Sequence, residues 1–323
     1  MSDGGVTDSQ VTDGEAADGR AMDGKAMASG TADGGAMDGR ARGEGRAIGG
    51  EVRGDGVQAV PAPGALAAPT GAQIQVWWAR VAVGQLSPVL RSSLAADLNP
   101  ATIAKLDRFH RVEDRDRGLA AHALLRRLLA AVVGGRPAEL VLGTRCGGCG
   151  QTDHGKPYLD VGTPVPPVEV NLTHSGEVVC VALAAPGVQV GVDVEQRRTV
   201  DWSALRRSVF ADPEWAVTEQ ADDPGRRRMD AWARKESAVK SSGHGLSLSL
   251  RGVVVEDTAD GGWTATLPQD AGSVVGWDLD LESDVAAAVA VHHVDERPTL
   301  ARPVVRRVDF AIGTDRARSR NHV

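Results

Sequence analysis

The chain has 323 residues, 24% of them charged and 42% hydrophobic, with a formal net charge of -7. That length suits one large domain or two small ones, and the acidic balance argues against a nucleic-acid binder, which needs a concentrated basic surface. No stretch approaches the roughly 20 apolar residues that span a bilayer, no secretory signal is expected, and three cysteines suit a reducing cytoplasm better than a disulfide framework.

The first 73 residues hold 17 of the 39 glycines and repeat Asp-Gly units, as in AMDGK at 21–25 and AMDGR at 36–40. With almost no aromatic or branched apolar residues they cannot bury enough surface to offset chain entropy. Residues 1–73 are therefore expected to be a disordered Gly/Ala/Asp-rich tail, and a translation start set too far upstream would look the same. At QIQVWWARVAV, 73–83, the alternation of apolar and β-favouring residues predicts a strand. From Asn99-Pro100 the pattern turns helical. In 105–133 the residues Leu106, Phe109, Val112, Leu119, Leu124, Leu125, Leu128 and Leu129 recur near i, i+3, i+4, with a break expected near Gly118 and a stop at Gly134-Gly135-Arg136-Pro137.

Residues 168–175 and 177–184 predict two strands joined by a tight turn at Ser175-Gly176, and 187–195 a third. Helices follow at 203–220 and 226–242, then strands at 251–257, 262–267, 274–281 and 285–293. From Pro298 an Arg-rich segment without sustained period is expected to be a solvated, flexible tail, 298–323. The ordered part therefore divides into two similar halves, 74–186 and 187–297. That pattern implies an α+β protein of two subdomains with a site where they meet.

Four segments carry chemistry. In HGKPYL, 154–159, Gly155 permits an unusual backbone and Pro157 restricts Lys156 to extended geometry, and a lysine fixed in this way can serve as a phosphate partner. In NLTHSG, 171–176, Thr173 and His174 end a strand, and both side chains can donate to a phosphate. In GVDVE, 191–195, a two-residue period puts Asp193 and Glu195 on one face and Val192 and Val194 on the core face. Two adjacent carboxylates either face solvent or hold a hard cation such as magnesium. In WARKESAVKSSGHGL, 232–246, Trp232, Glu236 and Lys240 form one row at i, i+4, i+8. Taken alone, Glu236 and Lys240 read as a surface pair.

In this order and spacing the four segments resemble the surfactin-type 4′-phosphopantetheinyl transferases. The shared features are Gly155-Lys156-Pro157, Asn171-Leu172-Thr173-His174-Ser175, Gly191-Val192-Asp193-Val194-Glu195, and Trp232 through Leu246 with its Lys-Glu-x-x-x-Lys core. Thr173 stands where the family usually has serine, keeping a hydroxyl. The resemblance covers about 95–296, and the last two motifs carry most of its specificity. RFHRVEDRDRGL, 108–119, resembles a charged helical stretch of the family. By that match Arg117 corresponds to an arginine that contacts a coenzyme A phosphate, and Lys105 is a looser match.

The resemblance implies two α+β subdomains related by pseudo-two-fold symmetry, with coenzyme A as substrate in the cleft between them. It implies that Lys105, Arg117, Lys156, Thr173 and His174 bind its phosphates, and that Asp193, Glu195 and Glu236 surround a Mg2+ ion. A serine of an acyl or peptidyl carrier protein, of fatty acid, polyketide or nonribosomal peptide synthesis, attacks the β-phosphorus and 3′,5′-ADP leaves. Glu236 is the candidate base, and Lys240 stabilises or protonates the leaving phosphate. A cytoplasmic monomer is expected, with no nucleic-acid or membrane partner. Two rivals share these residues: a magnesium-dependent hydrolase of coenzyme A or another nucleotide, and a non-catalytic coenzyme A binder, which has no need of Glu236 and Lys240.

One cluster lies outside this scheme. Cys146-x2-Cys149 followed by His154 has metal-ligand spacing, and zinc, a redox pair and an unliganded Gly-rich loop are all open. The unliganded loop is favoured, because a structural zinc site normally closes with four ligands and position 159, where a fourth would fall, is Leu159. Cys180, in an apolar strand, is expected in the core.

Overall fold

A computed structural model describes residues 56–293 and 300–311, with Leu246 described by its backbone alone. Its first half runs β1 (Ile74–Arg80), α1 (Pro88–Ala95), α2 (Pro100–Leu106), α3 (Val112–Val133), β2 (Leu142–Arg145), β3 (Lys156–Leu159), β4 (Glu169–Ser175) and β5 (Val178–Ala184). The second runs β6 (Val190–Gln196), α4 (Trp202–Val209), α5 (Asp212–Glu219), α6 (Pro224–Ser242), β7 (Val254–Asp257), β8 (Trp263–Thr266), β9 (Ser273–Asp278) and β10 (Val285–His293), after which β11 (Val304–Arg307) returns to the first.

The strands form a four-stranded sheet ordered β11-β1-β5-β4, a five-stranded sheet ordered β6-β10-β9-β8-β7, and the β2-β3 hairpin. In each half the last strand of the half, β5 or β10, pairs antiparallel with the first strand, β1 or β6, and with the strand just before it. The same connectivity thus occurs twice.

Period-2 alternation assigns the layers. Along β5, Val179, Val181 and Leu183 face α3, where they pack with Leu124, Leu125, Leu128 and Leu129. The alternate residues Val178, Cys180, Ala182 and Ala184 face the second sheet and meet Val192, Val194, Trp277 and Val289. Along β10, Val285, Ala287, Val289 and Val291 share that middle core, while Ala286, Ala288 and Ala290 face Met229, Ala233 and Val239 of α6. Four layers result: α3, sheet, sheet, α6. Cys180 lies in the middle core at 0% exposure. Burying each large aliphatic side chain contributes about 1.5–3 kcal/mol, so both long helices are held by their apolar faces rather than by propensity.

Several sequence expectations are corrected. Residues 1–55 of the expected tail lie outside the described residues, but 56–72 are not free chain. Gly64 N donates to Ala130 O and Leu66 N to Ala131 O, Leu66 packs on the core, and Gln58 bridges Val308. A segment poor in apolar residues can dock through its backbone, which composition does not register. Part of the expected Arg-rich tail is likewise ordered: β11 pairs parallel with β1, and Arg306 and Arg307 lie over the rings of Trp77 and Trp78 at 4.9 and 4.8 Å. The rest, 298–299 and 312–323, lies outside the described residues.

Helix α3 runs unbroken through Gly118, because that glycine is a packing residue: a Cβ there would stand 2.6 Å from Leu106 Cδ2. The expected break falls earlier, between α2 and α3. The helix expected at 203–220 divides at Phe210, whose fully buried ring anchors the core, and restarts with Pro213 in its first turn. Among the described residues no helix is long and apolar enough to cross a membrane.

Candidate functional site

The two sheets present edges β4 and β6 to one another, and side chains rather than a backbone ladder join them. On β4 the residues Glu169, Asn171, Thr173 and Ser175 alternate with Val170, Leu172 and His174, so the polar set shares one face. Asn171 Oδ1 accepts from Val192 N at 2.9 Å. Thr173 Oγ1 donates to Asp193 Oδ1 at 3.0 Å. Ser175 Oγ donates to Glu195 Oε2 at 2.7 Å and accepts from Gln196 N at 3.2 Å. Asparagine, threonine and serine at a two-residue period thus form a polar ladder between the halves. Arg80 adds a second tie, donating to Glu282, Glu177 and Asp284.

Helix α6 completes the site. It starts at Asp223, whose carboxylate accepts from Arg226 N, continues with Pro224 in the first turn, and ends at Gly243 in the left-handed region, φ 74°. It lies close on β6 because residue 191 is glycine. A Cβ there would strike Ser237 O and Ser241 N and stand 2.8 Å from Ser241 Cα. That close approach carries Glu236 and Lys240 over Asp193. Lys240 Nζ donates to Asp193 Oδ1 at 2.5 Å and to Thr173 Oγ1 at 3.3 Å, so β4, β6 and α6 converge on one point.

Asp193 is 2% exposed, which removes the reading of GVDVE as a solvent-facing strand. Burial raises its carboxyl above the ordinary range against the pull of Lys240 and Thr173. Burial and the neighbouring Asp193 push Glu195 up to about 7. Burial also raises Glu236, and Asp193 adds to it while Lys240 opposes. Burial alone would lower Lys240, but Asp193, Glu236 and Glu195 outweigh it, so the ammonium is held protonated.

One buried and two half-buried carboxylates therefore face one lysine, and Asp193 Oδ2 is buried with no hydrogen-bond partner among the described residues. Hard oxygen donors with uncompensated negative charge fit a divalent ion such as magnesium. Their oxygens are not gathered on one point, because Lys240 and Thr173 hold Asp193 and Ser175 holds Glu195. Among the described residues, the one group of three or more His, Cys, Asp or Glu side chains with donor atoms all within 4.8 Å of one another is Cys146, Cys149 and His154.

A line of cationic and imidazole groups borders the carboxylates. His174, on the α3 face of β4, is pushed down to about 4 by burial and then by Arg117 and Lys240. His122 on α3 is likewise pushed to about 4, by burial and then by His174, Arg126 and Lys105. The structure thus brings Arg117, Thr173, His174, Asp193, Glu195, Glu236 and Lys240 together and links Lys105 to them through His122. Arg117 is anchored, donating to Gly176 O at 2.7 Å and to Asp114 Oδ1 at 2.7 Å. His174 Nδ1 is buried with no partner among the described residues.

Lys156 stands apart. It pairs with Glu169 at 3.3 Å, at the far end of the β4 polar ladder and beside the C-terminus of α6. From Glu169 to Thr173 the strand advances about 13 Å. The sequence reading missed two residues. His122, inside an amphipathic helix, looks like any core histidine, and only its spatial neighbour His174 marks it. Lys235 is fully buried and donates to Val209 O, Glu214 Oε2 and Leu250 O, pinning α6 to α4 and α5. A cavity of about 170 Å3 between α5, α6 and β7, lined by Glu214, Thr218, Arg227 and Arg234 among others, touches none of the residues gathered around Asp193.

Residues 189–290, which span β6 and α6 and reach into β10, match the family model described as the 4′-phosphopantetheinyl transferase superfamily. The chain is similar to a 4′-phosphopantetheinyl transferase of Bacillus subtilis, 29% identical over 197 residues, covering 59% of this chain and 80% of the relative. It is similar to a second from Paxillus involutus, 30% identical over 217 residues with the same two coverages. The 4′-phosphopantetheinyl transferase Sfp of Bacillus subtilis strain 168 is 24% identical over 201 residues, covering 61% of this chain and 84% of that protein.

Proposed function

Because the chain belongs to the 4′-phosphopantetheinyl transferase family, we propose that the junction of β4, β6 and α6 is where it performs the family's reaction. That reaction moves the phosphopantetheine arm of coenzyme A onto a serine of an acyl or peptidyl carrier protein and releases 3′,5′-ADP. One observation carries the proposal: Lys240 reaches across the seam to Asp193 and Thr173, joining both halves in one charged cluster. The repeated connectivity supports reading the halves as a pseudo-two-fold pair with coenzyme A between them.

Phosphoryl transfer of this kind depends on positioning and charge neutralisation rather than on a protein nucleophile. In this reading Asp193, Glu195 and Glu236 would hold magnesium, which would offset negative charge on the diphosphate. Thr173 orients Asp193 through its hydroxyl. Lys240, protonated by virtue of the three carboxylates around it, holds its ammonium toward a phosphate oxygen and follows the charge that develops on the leaving group. Glu236 Oε, with a raised pKa, takes the proton of the attacking serine directly or through one water. On the other side His174 donates from Nδ1 to a phosphate oxygen, and Arg117 and Lys105 supply positive field. Lys156, about 13 Å along the seam from Thr173, serves a second anionic group of the same ligand.

Mixing the protein with coenzyme A, magnesium and apo carrier proteins, then weighing the carriers, tests the reading. Added phosphopantetheine on the carrier serine is the expected result. Absence of that mass on both acyl and peptidyl carriers, or release of free phosphopantetheine without an acceptor, as a hydrolase would give, overturns it.

A further inference from the structure

Among the described residues, the loop between β2 and β3 holds the one group of three His, Cys, Asp or Glu side chains whose donor atoms lie within 4.8 Å of one another, and the transferase scheme does not use it. We infer that Cys146 Sγ, Cys149 Sγ and His154 Nε2 form a zinc site, reversing the sequence expectation of an unliganded loop. Four features of the loop carry this inference, which stands apart from the transferase reading.

The first is distance. The three donor atoms lie within 4.8 Å of one another, with Cys149 Sγ 3.5 Å from His154 Nε2. A tetrahedral zinc with Zn–S near 2.3 Å and Zn–N near 2.0–2.1 Å requires an S to N edge of about 3.6 Å. The second is the partner of the histidine. His154 Nδ1 is 2.7 Å from Asp153 Oδ1, so the carboxylate fixes the ring with Nε2 turned to the sulfurs. A carboxylate behind a histidine is the usual support of a metal-bound imidazole. The third is the setting of Cys146. It is buried, so its sulfur closes the inner side of the donor group while Cys149 lies on the outer side.

The fourth is the backbone that makes the loop. Gly150 N donates to Cys146 O at 3.0 Å, and Cys146 N to Gln151 O at 2.9 Å, closing a tight turn with Gly150 at φ 73°. Gly155, at φ 102°, passes so close that a Cβ there would stand 2.6 Å from Cys146 Cα. That crossing folds His154 back onto the two cysteines. The objection from the sequence, a missing fourth ligand near 159, loses force. Cys149 and His154 are on the surface, so a solvent oxygen can complete the tetrahedron. Two thiolates and an imidazole select zinc over magnesium, whose preferred ligands are hard oxygens.

The site is placed to matter. Gly147 N donates to Gly243 O at 2.8 Å, and a Cβ on Gly147 would stand 2.5 Å from Ser242 O, so the loop lies directly on the C-terminus of α6. Lys156 follows His154 by two residues. A zinc ion would fix the shape of the hairpin that carries Lys156 and rests on the helix end that carries Lys240.

The full chain, purified in reducing buffer and dialysed against metal-free buffer, should retain close to one zinc per chain by elemental mass spectrometry. Cobalt exchanged for zinc should show intense tetrahedral d–d bands and a thiolate-to-cobalt charge-transfer band, a readout that needs no variant. Cys149→Ser and His154→Gln should each lower zinc content at least tenfold, while Cys180→Ser, altering a thiol in the middle core, should leave it unchanged. Chelation should lower Tm, with recovery on adding zinc but not magnesium. Three results would each overturn the inference: a reduced chain that carries no zinc, zinc retained in both loop variants, or a cobalt spectrum without thiolate bands.

Discussion

The contact of α6 with β6 at residue 191 sets the position of Glu236 and Lys240, so Gly191→Ala tests the geometry of the whole site. The added Cβ would stand 2.8 Å from Ser241 Cα and strike Ser237 O and Ser241 N as well, all of them backbone atoms of one helix. Carbon atoms pack at about 3.5–4.0 Å, so α6 must retreat by roughly 1 Å or the strand must bend. Overpacking of this kind costs about 2 kcal/mol, which in a fold of this size lowers Tm by roughly 4–8 °C. The same retreat draws Lys240 Nζ away from Asp193 Oδ1, now 2.5 Å distant. Displacements near 1 Å at a reacting centre cost on the order of a hundredfold in rate. Gly225→Ala on the same helix is the control, because its Cβ comes no nearer than 3.5 Å to Asp223 Oδ1, and alanine gains about 1 kcal/mol of helix propensity over glycine. Thermal unfolding and the rate of phosphopantetheine transfer to an apo carrier are the two readouts. Wild-type Tm and turnover in Gly191→Ala would refute the claim that this contact places the site.

Asp193→Asn keeps the shape of the side chain but removes its charge, so transfer should fall at least a hundredfold while far-ultraviolet circular dichroism is unchanged. Full activity would remove Asp193 from the site. Lys235→Met strands Glu214 and the carbonyls of Val209 and Leu250, which should cost about 3 kcal/mol by thermal unfolding. Activity per folded molecule should be kept at low temperature, because Lys235 holds α6 from behind. The acid limb of stability should report His122 and His174. Both are pushed from 6.5 down to about 4, first by burial, so between those values the unfolded chain takes up protons that the native state refuses. Stability should therefore be lost as pH falls from about 6.5 toward 4, by up to about 3 kcal/mol for each histidine. Replacing both with glutamine should flatten that limb in denaturant titrations.

What the sequence disclosed depended on whether the partner of a residue lay nearby in the chain. The apolar runs of β5 and β10 are complete within each strand, and the row Trp232, Glu236, Lys240 needs only one helix, so these were legible. The pairing of Arg306 and Arg307 with Trp77 and Trp78 joins residues 229 positions apart, and an arginine run read alone looks like solvated tail. Asp116, in the middle of a charged run, is fully buried because Gly84 N and Arg91 come to it from another segment. Gly118 looked like a helix break because glycine ordinarily weakens helices, whereas here it makes room for Leu106. The short strands β2 and β3 have too few residues to show a period. His154 meets Cys149 only because Gly155 turns the chain back, a matter of φ rather than of spacing.

The seam explains why the charged residues fall where they do. Had β4 and β6 paired through their backbones, the strands would stand about 4.8 Å apart, and no side chain could lie between them. Asn171 and Ser175 instead satisfy the N–H groups of Val192 and Gln196 through their side chains, which holds the edges farther apart while leaving those donors paired. The added width admits Thr173, Asp193 and Lys240 between the halves. The same substitution of side chain for backbone that joins the two sheets therefore also creates the room for a charged site. Shortening the ladder, as in Asn171→Ala, should strand Val192 N and lower both stability and transfer, whereas a purely structural seam would lose stability alone.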